Sequence, residues 1–124
     1  MDGTFKTIPH DQHRYPTYGD YLIDNKGKSH FMISDIGNED MEFLCLIHEL
    51  IEEHLTRTRG ITEPTIKAFD EQFESDGREG EPGEAHDSPY RKEHIFAENI
   101  ERLIALELGV DWAAYGEAVD GLFK

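Results

Sequence analysis

The stretch Met41–Arg57, MEFLCLIHELIEEHLTR, is the longest run with helical apolar spacing, and it restricts the possible folds most. Its apolar residues recur at intervals of three and four, which predicts an amphipathic helix from about Asp40 to Arg57. Asn38 or Asp40 can cap its start, and Gly60 follows its end. We expect this central helix to bury one stripe of side chains, formed by Leu44, Ile47, Ile51 and Leu55.

A polar motif, His48-Glu49-x-x-Glu52, lies in the middle of this helix. His48 falls between members of the buried stripe and Glu52 on its flank, whereas Glu49 points toward an acidic, solvent-facing side with Glu42 and Glu53. A buried imidazole and a buried carboxylate need partners. His48 is therefore either a metal ligand or a core histidine that is hydrogen-bonded to Glu52 or to a group of a neighbouring hairpin.

A second pair, His94 and Glu98, has the same H-x-x-x-E spacing on a later predicted helix. If the two helices are neighbours, His94 can join His48 and Glu52 in a set of two imidazoles and one carboxylate. Such a set suits a divalent metal, Zn²⁺ first, with Fe²⁺ or Mn²⁺ as alternatives. The favoured activity is metal-assisted hydrolysis with Glu49 as the general base. Second-tier candidates for the site are Asp70, Glu98 and His86.

Residues 20–34 indicate a β-hairpin, because two short β-prone runs flank a polar loop that contains Gly27. A lone hairpin is marginal in water, so this one must pack against helices. A second helix is predicted from Thr62 to about Glu74 and a third over 90–108. A short helical segment follows over 110–115, with a tail that frays. The expected fold class is α+β, with an N-terminal hairpin packed on three main helices in one domain, 1–124.

Two segments are expected to lie outside the regular elements. Residues 1–19 contain Pro9 and Pro16 and form an N-terminal arm in this interpretation. The arm either packs its tyrosines on the domain or lines a pocket with Arg14 and a histidine. Residues 75–88 are rich in Gly, Pro and Glu, which predicts a mobile acidic loop whose charges are solvated.

Composition limits the partners of the chain. The formal net charge is -15, so we expect no direct binding to nucleic acid, because the field of the protein repels a polyanion. The same charge suits a cation or a basic protein partner. Cys45 is the one cysteine, and no stretch is apolar enough for a signal peptide or a membrane helix. We therefore expect a cytoplasmic protein in a reducing compartment; its oligomeric state is left open.

Two other functions remain open at this stage. Paired glutamates on antiparallel helices hold Mg²⁺ in all-helical nucleotide pyrophosphohydrolases, and here such pairs are available in Glu49, Glu52, Glu53, Glu98 and Glu101. A strongly acidic protein can also act without any site, as a nucleic-acid mimic or inhibitor that occupies a basic partner.

Several segments together resemble a family of small bacterial and phage proteins of uncharacterised activity. They include RYPTYGDY, HELIEEHLTRTRGITE, AFDEQFE, EPG and PYRKEHIFAENIERLIALELGVDWAAY. The resemblance extends from about His10 to Tyr115 and implies no particular chemistry. A looser similarity links His48-Glu49-x-x-Glu52 to zinc metallohydrolases, from which this chain departs at the second histidine. The family pattern picks out Arg14, Tyr15, Asp20, His48, Glu49, Glu52, Asp70, Tyr90, His94 and Glu98.

Overall fold

The computed structural model describes residues 1–124 and contains a three-stranded sheet packed against four α-helices. The α+β class predicted from the sequence is confirmed. The strands are β1 (Gly3–Ile8), β2 (Gly19–Ile23) and β3 (Ser29–Ser34). The helices are α1 (Glu39–Thr58), α2 (Glu63–Ser75), α3 (Arg91–Leu108) and α4 (Trp112–Gly121). Two single 3₁₀ turns lie at His10–Gln12 and Pro82–Glu84.

The predicted hairpin is present, but it forms only part of the sheet. β2 and β3 pair antiparallel around a turn in which Gly27 has a φ of 79°, a value that glycine adopts without steric cost. β1 pairs in parallel with β3, from Gly3 opposite Ser29 to Ile8 opposite Ser34. The expectation that residues 1–19 form only an arm is therefore wrong for β1. Parallel strands are not connected by a tight turn, so no local sequence signal predicts that β1 pairs with β3.

The helix boundaries follow local capping chemistry. Asn38 accepts a hydrogen bond from the Met41 N–H, Thr62 caps α2, and Asp111 caps α4. Gly109 ends α3 in the left-handed region, with a φ of 70°. The last helix is longer than the segment predicted over 110–115, because α4 continues to Gly121 and Val119 packs against the apolar core.

The helices α1 and α3 lie side by side and antiparallel, which confirms the expected neighbourhood of the two histidine motifs. Between them and α4 the apolar core is small. Its fully buried members are Leu44, Ala105 and Tyr115, and partly buried side chains surround it. Only 21 of 124 residues are buried, and ten of these are polar or charged. The interior of this protein is thus unusually polar for its size.

The predicted buried faces of α1 and α3 are wrong in orientation. On α1 the buried residues include His48, Glu49, Glu52 and Glu53, whereas Ile47, Ile51 and Leu55 are only half-buried. On α3, helical apolar spacing in the sequence predicts a buried stripe that includes Phe96 and Leu103, but these two side chains are 50% and 60% exposed. The sheet covers the polar side of α1, where the absence of a Cβ on Gly19 lets β2 approach Cys45 and Glu49 closely. Both helices are therefore rotated away from the packing that apolar spacing alone favours.

Arginines at the rim neutralise several of the buried carboxylates. The Arg14 guanidinium donates two hydrogen bonds to Asp20. Arg57 donates to Glu53 at 2.7 Å, and Arg59 donates from the end of α1 to Glu93 on α3, also at 2.7 Å. Removal of either partner of such a buried pair leaves an uncompensated charge, so these pairs hold the polar interior together.

No helix of this chain is both long enough and apolar enough to cross a lipid bilayer.

The small core makes one substitution a sharp test of the fold. Leu44 is fully buried between α3 and α4. We expect Leu44→Ala to lower the free energy of unfolding by about 2–5 kcal/mol, because the cavity cannot be refilled. Leu106 is 77% exposed, so Leu106→Ala should change it by less than about 0.5 kcal/mol. Urea denaturation followed by circular dichroism measures both. Equal losses in the two variants would contradict this core.

Candidate metal centre

Three potential ligand atoms converge in the interior between α1 and α3. His48 Nε2 lies 3.0 Å from Glu52 Oε2 and 3.3 Å from His94 Nδ1, and His94 Nδ1 lies 2.9 Å from the same Glu52 oxygen. The three residues are 3–7% exposed. The structure thus brings together the three residues that the sequence nominated as ligands, in a group that could hold a metal ion.

The helix geometry explains why these atoms meet. His48 and Glu52 are four residues apart on α1, so their side chains lie one turn apart on one face. His94 lies in the first turns of α3 and faces them across the antiparallel helix pair. Because all three side chains come from rigid helices, the positions of their ligand atoms are set before any ion arrives.

Each histidine is oriented by a carboxylate on its other nitrogen. His48 Nδ1 lies 2.8 Å from Glu101 Oε1, and His94 Nε2 lies 3.1 Å from Glu81 Oε2. A carboxylate accepts, so in each pair the ring N–H donates outward, and whenever the ring is neutral its other nitrogen turns a lone pair inward. The inward lone pairs of His48 and His94 then face each other and the Glu52 carboxylate. Three electron-rich atoms at this spacing repel one another unless protons or a cation lie between them.

The pKa values of the three residues also show that the site favours positive charge. Burial lowers the pKa of His48, but the hydrogen bonds to Glu101 and Glu52 outweigh it and raise that pKa well above its usual value. Burial also lowers the pKa of His94, but the hydrogen bonds to Glu52 and Glu81 outweigh it and raise that pKa to about 10. Burial raises the pKa of Glu52, but the two histidines lower it to about 2. A metal that binds here therefore exchanges with protons.

The distances suit a small divalent ion. Tetrahedral Zn²⁺ with bonds of about 2.0–2.1 Å places neighbouring ligand atoms about 3.4 Å apart. The observed separations of 2.9–3.3 Å need to widen by only a few tenths of an ångström. Two imidazoles and one carboxylate leave a fourth position for water or substrate.

Glu49, the candidate base, lies on the sheet side of α1. It is 9% exposed, so the expectation that it points toward a wet acidic face is wrong. A Cβ on Gly19 would stand 2.9 Å from Glu49 Oε1, which shows how closely β2 covers this carboxyl. No protein group donates a hydrogen bond to it, unlike the carboxyls of the other buried acidic residues. Burial and then the charge of Glu52 raise the pKa of Glu49 to about 8.

The segment 75–88 contributes to the site through two residues. Glu81 makes the hydrogen bond to His94, and Gly83 packs directly on the His94 ring, where an added Cβ would come within 2.6 Å of Cγ and Nδ1. In the EPG sequence, Glu81 thus orients the His94 ring, and Gly83 lies so close to that ring that no larger residue fits. The sequence alone predicts solvated charges for this segment, and it contains no periodic signal that would single out Glu81.

Other residues of the family-like pattern form networks beside the site. Tyr15 and Arg14 both donate to the buried Asp20, and Asp20 raises the pKa of Glu49 through its charge. The hydroxyl of Tyr90 donates to Asp70 at 2.7 Å, and the Tyr90 ring lies 6.2 Å from that of His94. Burial raises the pKa of Asp70 to about 6, in spite of that hydrogen bond. Asp70 therefore contacts Tyr90, which packs near His94, and is not one of the three candidate ligands.

Two second-tier candidates lie away from the three ligand atoms. Burial and the neighbouring Glu84 raise the pKa of Glu98, which is half-buried. His86 is exposed and belongs to neither group whose ligand atoms lie within 4.8 Å of one another; the second such group is Glu81, Glu84 and His94. Glu101 was considered only as a magnesium ligand. Its position seven residues after His94 on the same helix was the available signal for its place here.

A cavity of about 170 Å³ opens beside the two histidines. His48 and His94 border it with their carboxylate partners Glu81 and Glu101, while Glu49 and Glu52 do not. The opposite wall is aromatic and comes from Tyr18, Trp112 and Tyr115. The cavity is large enough for a small side chain or a few water molecules, and it connects the histidine side of the site with the surface.

Comparison of this chain with models of protein families, with curated proteins and with solved structures gave no match.

The unpaired Glu49 carboxyl predicts a pH-dependent stability. Its pKa is about 8 in the folded chain and about 4.3 in an unfolded one. Because the folded state holds this proton more tightly, the contribution of Glu49 to stability falls as the pH rises through that window. In metal-free protein we expect Glu49→Gln to be more stable than wild type near pH 9, by up to about 5 kcal/mol for a pKa difference of this size, and to show no such gain near pH 4.

Urea denaturation at the two pH values measures this difference. Glu117→Gln, at an exposed position on α4, is the matched control and should follow wild type at both. A constant offset between Glu49→Gln and wild type across the pH range would contradict a raised pKa for Glu49.

Proposed function

We propose that this protein is a metal-dependent hydrolase in which His48, Glu52 and His94 hold one Zn²⁺ ion and Glu49 is the general base. The convergence of three ligand atoms within 3.3 Å of one another, with both histidines oriented by carboxylates, carries the proposal. A core histidine without a metal needs one partner for each ring nitrogen, and these partners need not be shared with a second histidine. Here two histidines present their inward nitrogens to one carboxylate oxygen, an arrangement that a cation stabilises directly.

The carboxylates around the histidines favour zinc among the available ions. A carboxylate that accepts the outer N–H of a metal-bound histidine fixes the ring and strengthens it as a ligand. Glu101 and Glu81 stand in that relation to His48 and His94. Two imidazoles with a carboxylate and an open position form a common catalytic zinc set, which Fe²⁺ and Mn²⁺ also accept.

Zinc in such a site supplies a water molecule whose pKa is about 7. Glu49 would be the group that accepts a proton from such a water and returns it to the leaving group. A divalent cation held by His48, Glu52 and His94 would lower the raised pKa of Glu49, so that this carboxyl would be ionised at neutral pH. The Glu49 carboxyl makes no hydrogen bond to another protein group, so it is free to accept and return a proton.

Elemental analysis of protein purified without a histidine tag tests the metal. We expect one zinc ion per chain in the wild type and almost none in His94→Ala. Glu101→Ala should bind zinc about 10–100-fold more weakly, because His48 loses its orienting partner. Glu107→Ala, at an exposed position on the same helix, is the matched control and should keep wild-type affinity. Equal metal content in wild type and His94→Ala would remove the proposal.

Activity is tested with the zinc-loaded protein on peptide, amide, ester and phosphodiester substrates. We expect hydrolysis of at least one class, abolished by a chelator and restored by zinc. Glu49→Gln should keep the metal and lower kcat by about 10²–10⁴-fold, the usual contribution of a general base. A zinc-loaded Glu49→Gln variant with wild-type kcat would exclude Glu49 as the base. Silence of the wild type on every class would reduce the proposal to a structural metal.

The magnesium alternative has less support. Its glutamates belong to separate contacts, since Glu53 accepts from Ser29 and Arg57, Glu101 accepts from His48, and Glu98 lies beside Glu84. No group of three or more of these glutamates has its ligand atoms within 4.8 Å of one another. Contact with a basic protein partner stays a prediction of the net charge.

A further inference from the structure

The layer formed by α1 and α3 is covered on one face only. The sheet, α4 and the segment 81–84 all lie on the side that carries the metal centre. The opposite face is bare and apolar in its middle. There Phe43 and Leu50 on α1 are 44% and 37% exposed, and Phe96 and Leu103 on α3 are 50% and 60% exposed. Domains normally bury such a face against another layer.

The apolar residues of this face form two matching seams. Phe43, Ile47 and Leu50 follow one another at intervals of four and three on α1. Phe96, Ile100 and Leu103 repeat the same intervals on α3. This spacing is that of helices that pack against partner helices in bundles. Because α1 and α3 are antiparallel neighbours, the two seams run side by side over the same surface.

We propose that two copies of this chain pack face to face through the α1–α3 layer and form a symmetric dimer with an antiparallel four-helix bundle at its centre. The inference does not depend on the proposed function. It commits to a second copy rather than to another partner because the charges at the ends of both seams are self-complementary.

The charges of α1 are arranged symmetrically about its middle. Asp40 and Arg57 lie equally far along the helix from the midpoint between His48 and Glu49, and both are exposed, while Arg57 also pairs with Glu53 in its own chain. A twofold axis through that midpoint, perpendicular to the helix, stacks α1 antiparallel on its copy. Asp40 then stands opposite Arg57 of the partner subunit, and the seam residues Ile47 and Leu50 meet their counterparts.

The same axis satisfies α3. Lys92 and Glu107 are exposed and lie equally far from the midpoint between Asn99 and Ile100. The hydrogen bond between His48 and Glu101 places the middle of α3 level with the middle of α1, so one axis passes through both midpoints. Lys92 then stands opposite Glu107 of the partner subunit. Within the chain neither Lys92 nor Glu107 forms an ion pair.

The available area is sufficient for a dimer. α1 has 20 residues, hence a length of about 30 Å, and two adjacent helices span about 20 Å. Each copy thus contributes about 600 Å² and the pair about 1,200 Å², the lower end of stable protein interfaces. An apolar seam with charged ends is also the usual anatomy of such interfaces.

Light scattering coupled to size-exclusion chromatography tests the dimer. The wild type at micromolar concentration should elute with twice the chain mass of 14.3 kDa. The double variant Leu50→Glu/Leu103→Glu should be a monomer with an unchanged circular dichroism spectrum, because both side chains are exposed in the single chain. A monomeric wild type at these concentrations would overturn the proposal.

A mixing experiment tests the axis. Lys92→Glu places like charges opposite each other in its own homodimer, and so does Glu107→Lys. Each homodimer should therefore be about 3- to 30-fold weaker than wild type. Mixed together, the two variants restore both opposite-charge contacts and should form a heterodimer in preference to either homodimer. Native mass spectrometry with one variant isotopically labelled counts the three species.

The control pair is Lys67→Glu mixed with Glu71→Lys, which carries the same changes in charge on the exposed surface of α2. It should give a statistical mixture of dimers. A statistical mixture from the Lys92→Glu and Glu107→Lys variants as well would overturn the proposed axis.

Discussion

The rest of the structure depends on the contact of two histidines with one buried carboxylate. His48 and His94 meet at Glu52 between α1 and α3, and two further carboxylates, Glu101 and Glu81, hold the outer side of each ring. These contacts join the two long helices and the segment before α3. Buried ionic groups of this kind stabilise only when every partner is present, so the polar centre sets the register of α1 against α3 as strictly as an apolar core would. Positive charge, as protons or as a metal ion, is a structural requirement of this arrangement.

The polar centre also determines where the apolar residues of the helices lie. Because His48, Glu49, Glu52 and Glu53 occupy the inner side of α1, many large apolar side chains of α1 and α3 lie on the outer side. The apolar core is left with little more than the cluster around Leu44. A protein whose interior is occupied by polar side chains in this way has less apolar burial with which to balance chain entropy. The outer face of the α1–α3 layer is where further burial is available, and its charge pattern is suited to a second copy of the chain.

The sequence predicted the elements better than their faces. Caps at Asn38, Thr62 and Asp111 and the stop at Gly109 are local chemistry, so the helices began and ended close to their expected positions. The rotation of α1 differs from the prediction because apolar spacing favours one buried face, whereas the close approach of β2 at Gly19 buries the carboxylates instead. Strand β1 was missed because its partner lies in the distant strand β3 and no turn connects them.

For the site, the sequence by itself determined that His48 and Glu52 share a helix face and that His94 repeats the pattern, since spacing along one helix needs no tertiary information. Only the tertiary structure decided that all three meet at one point, that Glu101 and Glu81 orient the rings, and that Glu49 is buried without a hydrogen-bond partner. The physical reason is that these relations depend on how α3, the sheet and the segment with Glu81 pack against α1. Such packing is the result of contacts between residues far apart in the chain, and no local period in the sequence encodes it.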